Sequence, residues 1–181
     1  VCVVVLGSSG WAIFENLFKG VWKEVPVILC VREDYISPLD VILKKEEIDS
    51  HEIIPLREKL KGMNVALVEC PVYIRETIDE MKHLLPEMKK VVLISDGLYE
   101  SAQVRKKMRH VCQEYFPELE VSYFTEGRMT MDQMLDSIYS SDINQVGLLY
   151  FSWVQREKIA NNKYLSANNH KAISYFDNHP I

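Results

Sequence analysis

Nine residues of this chain have side chains suited to holding a small molecule, and each falls just after an apolar run. Ser8, Ser9 and Trp11 follow Val1–Leu6, and Arg32 and Tyr35 follow Val25–Val31. Asp96 and Tyr99 follow Val91–Ile94, and Ser152 and Trp153 follow Val146–Tyr150. Hydroxyls and a carboxylate orient a polar guest, a guanidinium pairs with an anion, and indole or phenol rings supply apolar wall. The set contains no general acid, base and nucleophile in a catalytic pattern. Its chemistry is binding rather than turnover.

Other chemistries find less support. Gly7-Ser8-Ser9-Gly10 has the look of a phosphate-cradling turn, yet it lacks both the P-loop lysine motif and the third glycine of the dinucleotide fingerprint. With Arg32 placed to meet a 2′-phosphate, a flavin- or nucleotide-dependent enzyme stands as an alternative. A receiver-like phosphorylation domain needs paired acids after its first strand, and none are there. The five histidines are scattered without metal-ligand spacing. Cys2, Cys30, Cys70 and Cys112 form no C-x-x-C pair and read as small hydrophobes of the core. No cofactor or metal is expected.

The elements that must position these residues follow from hydrophobic periodicity. Val1–Leu6, Val25–Val31, Asn64–Glu69, Val91–Ser95, Glu120–Thr125 and Val146–Phe151 read as strands. Between them, Trp11–Trp22, Pro71–Leu85 and Glu100–Tyr115 carry helical spacing. Thr130-Met131-Asp132-Gln133 has the form of a capping box opening a helix to Tyr139. Gly7–Gly10 reads as a turn, and Arg32–Met63 as a charged segment with one short helix at Leu39–Ile48. Val154–Asn162 reads as a loop and Asn168–Asn178 as a further helix.

Strands that alternate with helices, each strand a continuous apolar run, predict parallel sheets covered on both faces. The four runs at Val1–Leu6, Val25–Val31, Val91–Ile94 and Val146–Tyr150 are therefore expected as central strands. Two blocks in series predict two α/β lobes. In open α/β sheets ligands sit beyond the carboxyl ends of the strands, which is where the nine residues fall.

Composition narrows the function further. Lys and Arg total 21 against 26 Asp and Glu, a net charge of −5, so no basic field is present to hold a nucleic acid. No apolar run approaches the roughly 18 residues of a membrane helix, so no direct membrane insertion is expected. A chain that opens inside a strand reads as a piece of a longer protein.

Several segments taken together resemble one family. They are Val25-Pro-Val-Ile-Leu-Cys-Val-Arg-Glu-Asp-Tyr35, Ile74-Arg-Glu-Thr-Ile78, Lys90-Val-Val-Leu-Ile-Ser-Asp-Gly97, Leu148-Leu-Tyr-Phe-Ser-Trp153 and Asn162-Lys-Tyr-Leu-Ser166. In this order they resemble the type I periplasmic-binding fold used as the extracytoplasmic sensor of bacterial membrane histidine kinases, hybrid kinases among them. Substrate-binding proteins of ABC transporters share that fold. The resemblance implies two lobes, one over residues 1–71 and one over 72–181 with the start of a return to the first, a small-molecule ligand between them and a signal passed by lobe movement to a kinase elsewhere in the parent protein. It also implies a periplasmic location and a homodimer formed through the parent receptor. Members of the family begin with an earlier strand–helix unit, and the segment Arg32–Met63 is longer and more charged than theirs.

Overall fold

The computed structural model describes residues 1–17, 20, 24–47, 53–125 and 128–153. The loop expected at 154–162 and the helix expected at 168–178 lie outside these residues. The chain divides after Val72 into two compact units. Each holds a three-stranded parallel sheet flanked by helices.

The first unit contains β1 (Val3–Leu6), α1 (Gly7–Leu17), β2 (Val27–Val31), β3 (Tyr35–Ile36), α2 (Leu39–Lys44), β4 (Ile54–Pro55), α3 (Leu56–Lys59) and β5 (Val65–Glu69). The sheet order is β1-β2-β5, with Val3 opposite Val27 and Val27 opposite Val65. Gly7 has a φ of 73° and is already the first residue of α1, so the expected turn at Gly7–Gly10 is helix instead. A glycine takes that angle without Cβ strain, and the strand passes directly into the helix. Val5, Val27, Leu29 and Val31 pack with Trp11, Ile36 and Leu56 in the core of this unit. The charged segment after β2 resolves into a two-residue antiparallel ladder, β3 with β4, and two short helices. Elements this short carry too few residues for a period to show in sequence.

Every connection in the first unit moves the chain in one direction across the sheet. Right-handed crossovers then place α1, α2 and α3 on one face. On the other face Val4, Leu6 and Val68 are 59%, 72% and 43% exposed. The expectation of burial on both faces fails for this sheet, and β1 is an edge strand among the described residues. Cys2 and Cys70, expected in the core, are exposed because they lie just outside the ends of β1 and β5, whereas Cys112 is buried.

The second unit contains α4 (Ile74–Leu84), β6 (Lys90–Ser95), α5 (Tyr99–Tyr115), β7 (Glu120–Thr125), α6 (Met131–Tyr139) and β8 (Val146–Tyr150). Its order is β7-β6-β8, all parallel. Of the four runs expected as central strands, β2 and β6 are central, and among the described residues β1 and β8 are edges. Here the chain winds outward to β7 and then back past β6 to β8, so right-handed crossovers place α5 and α6 on opposite faces. Val92 and Ile94 pack with Met134, Ile138, Val146, Leu148 and Trp153 on the α6 side. Val91 and Leu93, on the other side, are as deeply buried. Beside Val91, a Cβ on Gly147 would run into Met81 Cε and Met88 Sδ, so the missing side chain leaves room for two methionines.

The capping box stands where the sequence put it. Thr130 Oγ1 accepts from the Gln133 amide at 3.2 Å, and Gln133 Oε1 accepts from the Thr130 amide at 2.8 Å. Thr130→Ala is expected to cost about 1 kcal/mol, because two orphan donors at the start of α6 lose their arrangement together. Urea unfolding followed by circular dichroism checks this, and Thr130→Ser should stay close to the parent.

Candidate functional site

The carboxyl edge of the second sheet is built around Asp96, the residue that leaves the central strand β6. Parallel pairing brings Ser95, Thr125 and Tyr150 to one edge, in register with or one step from each other. Asp96 is 1% exposed, so its carboxylate needs internal partners. Oδ1 accepts from the Leu98 amide at 2.9 Å and from Ser101 Oγ at 2.6 Å. Oδ2 accepts from Ser152 Oγ, 56 residues away in sequence. Arg105, one turn beyond Ser101 on α5, donates to the Asp96 carbonyl at 2.8 Å and to Ser95 Oγ at 2.9 Å. Three donors hold the carboxylate, and a guanidinium holds the backbone that carries it.

The residues after β8 are fixed by three different kinds of contact. The Phe151 amide extends the ladder to the Ile94 carbonyl at 3.0 Å. Ser152 bonds Asp96, and Trp153 is 1% exposed within the core on the α6 side. Burial pushes the Tyr150 phenol above its ordinary pKa and the Asp96 charge adds to this, while a hydrogen bond with the Trp153 backbone works against it. The Tyr150 ring therefore stays neutral at physiological pH. Tyr150, Phe151 and Ser152 are half-buried, as are Gly97 and Leu98 of the facing turn. Chemically the edge offers fixed hydrogen-bonding groups and the half-buried Phe151, beside a Tyr150 ring that packs against the core on the α6 side.

In the first unit the carboxyl ends of β1 and β2 are tied by Ser8, fully buried, whose Oγ lies 3.3 Å from Glu33 Oε2. Glu33 places a carboxylate beside the first turn of α1, and a phosphate there would meet like charge. That weakens the nucleotide alternative. Ser9 and Tyr35 are half-buried, and Arg32 is exposed at the end of β2.

Of the nine expected site residues, the structure joins Asp96 to Ser152 directly. Trp11, Tyr99 and Trp153, expected as apolar walls, are 1%, 3% and 1% exposed and pack inside their units instead. A ring that follows a strand reads the same in sequence whether it lines a surface or fills a core. Ser101 and Arg105 were missed, and Ser95, within the strand-end segment Ser95–Tyr99, was not singled out. The signal for two of them was there: Ser101 and Arg105 are one helical turn apart on α5, close after an acid at a strand end.

Among the described residues no group of three histidine, cysteine or acidic side chains is placed to hold a metal. No helix among them is long and apolar enough to cross a membrane. No protein family, curated protein or solved structure matches this chain.

Proposed function

We propose that this chain is a ligand-sensing module that binds a small polar molecule and passes its occupancy to a larger receptor. The observation that carries the reading is the carboxyl edge of the second sheet. There a buried, fully bonded Asp96 stands beside the half-buried Tyr150, Phe151 and Ser152. A parallel α/β edge is where such folds take ligands, and fixed polar groups next to aromatic rings suit a sugar, an amino acid or a similar guest. The segment resemblance supplies the context: the periplasmic sensor of a membrane histidine kinase, with the periplasmic-binding type of two-lobed fold.

Thermal unfolding of the purified chain against sugars, amino acids and nucleosides tests the binding step. Ligand at about 100 times Kd adds about 2.7 kcal/mol, which raises Tm by roughly 5–10 °C for a chain of this size. Phe151→Ala should remove that rise while leaving the ligand-free transition in place. No shift with any of the three classes, or consumption of one of them, would overturn the reading. A parent gene ending soon after this fold, with no kinase region, would replace the receptor with a transporter's binding protein.

A further inference from the structure

We infer that β1 is a self-association edge: two copies of this chain pair β1 with β1, antiparallel about a two-fold axis, and join their first sheets into one of six strands. The contact is made by this chain itself and does not depend on the proposed function.

The outer side of β1 is open in its backbone as well as in its side chains. The Val3 amide donates to the Pro26 carbonyl at 3.0 Å, so in the parallel ladder Val3 and Val5 turn their amides and carbonyls towards β2. Those of Val4 turn the other way, and no hydrogen bond among the described residues meets them. Edge strands are usually blunted by a charge, a proline or a bulge. Val3–Leu6 has no charge and no proline, and its register with β2 runs without a break. Another extended strand is what meets such a row of groups in series.

A second copy supplies that strand with a matching surface on both faces. Centred on Val4, an antiparallel copy exchanges two hydrogen bonds between the paired Val4 residues and sets Leu6 opposite the copy's Cys2. Opposed residues share a face, so the exposed Val4 and Leu6 gain apolar neighbours there. On the other face α1 packs on β1 and β2, and beside β1 runs a groove of about 300 Å³ lined by Val3, Val5, Gly10, Ile13 and Phe14. Two-fold pairing sets α1 and its copy two strand spacings apart, about 10 Å, which is the distance of packed helices. The exposed Ile13 of each copy then helps to close the groove. No strand or groove residue carries a charge to repel the copy. A contact one strand and one helix wide falls below the roughly 800 Å² per partner of a standard interface, so the dimer is reversible.

Sedimentation velocity of the whole chain from micromolar to millimolar concentration tests the pairing. The average mass should climb from one chain towards two and fall back on dilution. Val4→Lys sets two ammonium groups at the two-fold axis and should weaken association roughly tenfold or more. Because Val4 is exposed in the single chain, the circular dichroism of that variant should match the parent's. Val4→Thr keeps an uncharged β-branched side chain and should associate like the parent. Val4→Cys places two sulfurs across a hydrogen-bonded pair whose Cα atoms lie about 5.5 Å apart, within disulfide reach, so mild oxidation should link the copies at position 4. One chain at every concentration would overturn the inference. So would a dimer that survives Val4→Lys, links that avoid position 4, or a different polypeptide held along β1 in place of the copy.

Discussion

Trp153→Ala is expected to destabilise the second unit by about 3–5 kcal/mol, the range for removing a large buried aromatic side chain. The indole is 1% exposed and packs among Val92, Ile94, Met134, Ile138, Val146 and Leu148, where strands and α6 meet. The sheet and the helix cannot close over a hole of that size without giving up their own contacts. Denaturant unfolding followed by far-ultraviolet circular dichroism measures the loss. Trp153→Phe keeps most of the volume and should lose less than half as much. A cost below about 1 kcal/mol for the alanine variant would mean that the ring contributes little to the core.

Asp96→Ala should cost about 2–4 kcal/mol, for a different reason. It removes the acceptor for the Leu98 amide, for the buried Ser101 hydroxyl and for Ser152. Donors left buried without an acceptor carry a desolvation penalty that a smaller apolar side chain does not relieve. Asp96→Asn offers a clean contrast. Its carbonyl oxygen can still accept from Leu98 and Ser101, and its amide can donate to Ser152 Oγ. The asparagine variant should therefore retain more than half of the stability that alanine loses, read from the same unfolding curves.

Much of the architecture was legible because strand and helix periods differ. The runs at Val91–Ser95 and Val146–Phe151, the helix from Glu100 and the capping box at Thr130 all lie where the sequence reading placed them, within a residue or so at the boundaries. The neighbours of each strand were not legible. An apolar run reports that a strand is present, not which strands lie beside it, so β1 and β8 read like β2 and β6 although they are edges among the described residues. Gly7–Gly10 misled because serine and glycine favour turns and helix starts alike, and only the backbone angle at Gly7 separates the two.

The site was half legible, again for a physical reason. The strand-end rule points to Asp96 and Ser152 because parallel strands end on one edge, and it says nothing of which way the next side chain turns. Trp153 is one residue beyond Ser152 and faces the core instead of the edge. Ser101 and Arg105 were hidden inside a helix whose pattern was read only for its apolar face.

Gly147 links the second unit to the oxidative state of its surroundings. Two thioethers, those of Met81 and Met88, lie in the space that a side chain at 147 would fill. Sulfur is the atom of a hydrophobic core most readily converted to something polar, and a sulfoxide brings an oxygen that seeks a donor. Placed against β8, an edge strand among the described residues, that oxygen would press on the backbone leading to the proposed binding edge. Peroxide damage at two methionines would in this way be felt at residues that contain no sulfur, and methionine sulfoxide reductases would be the means of repair.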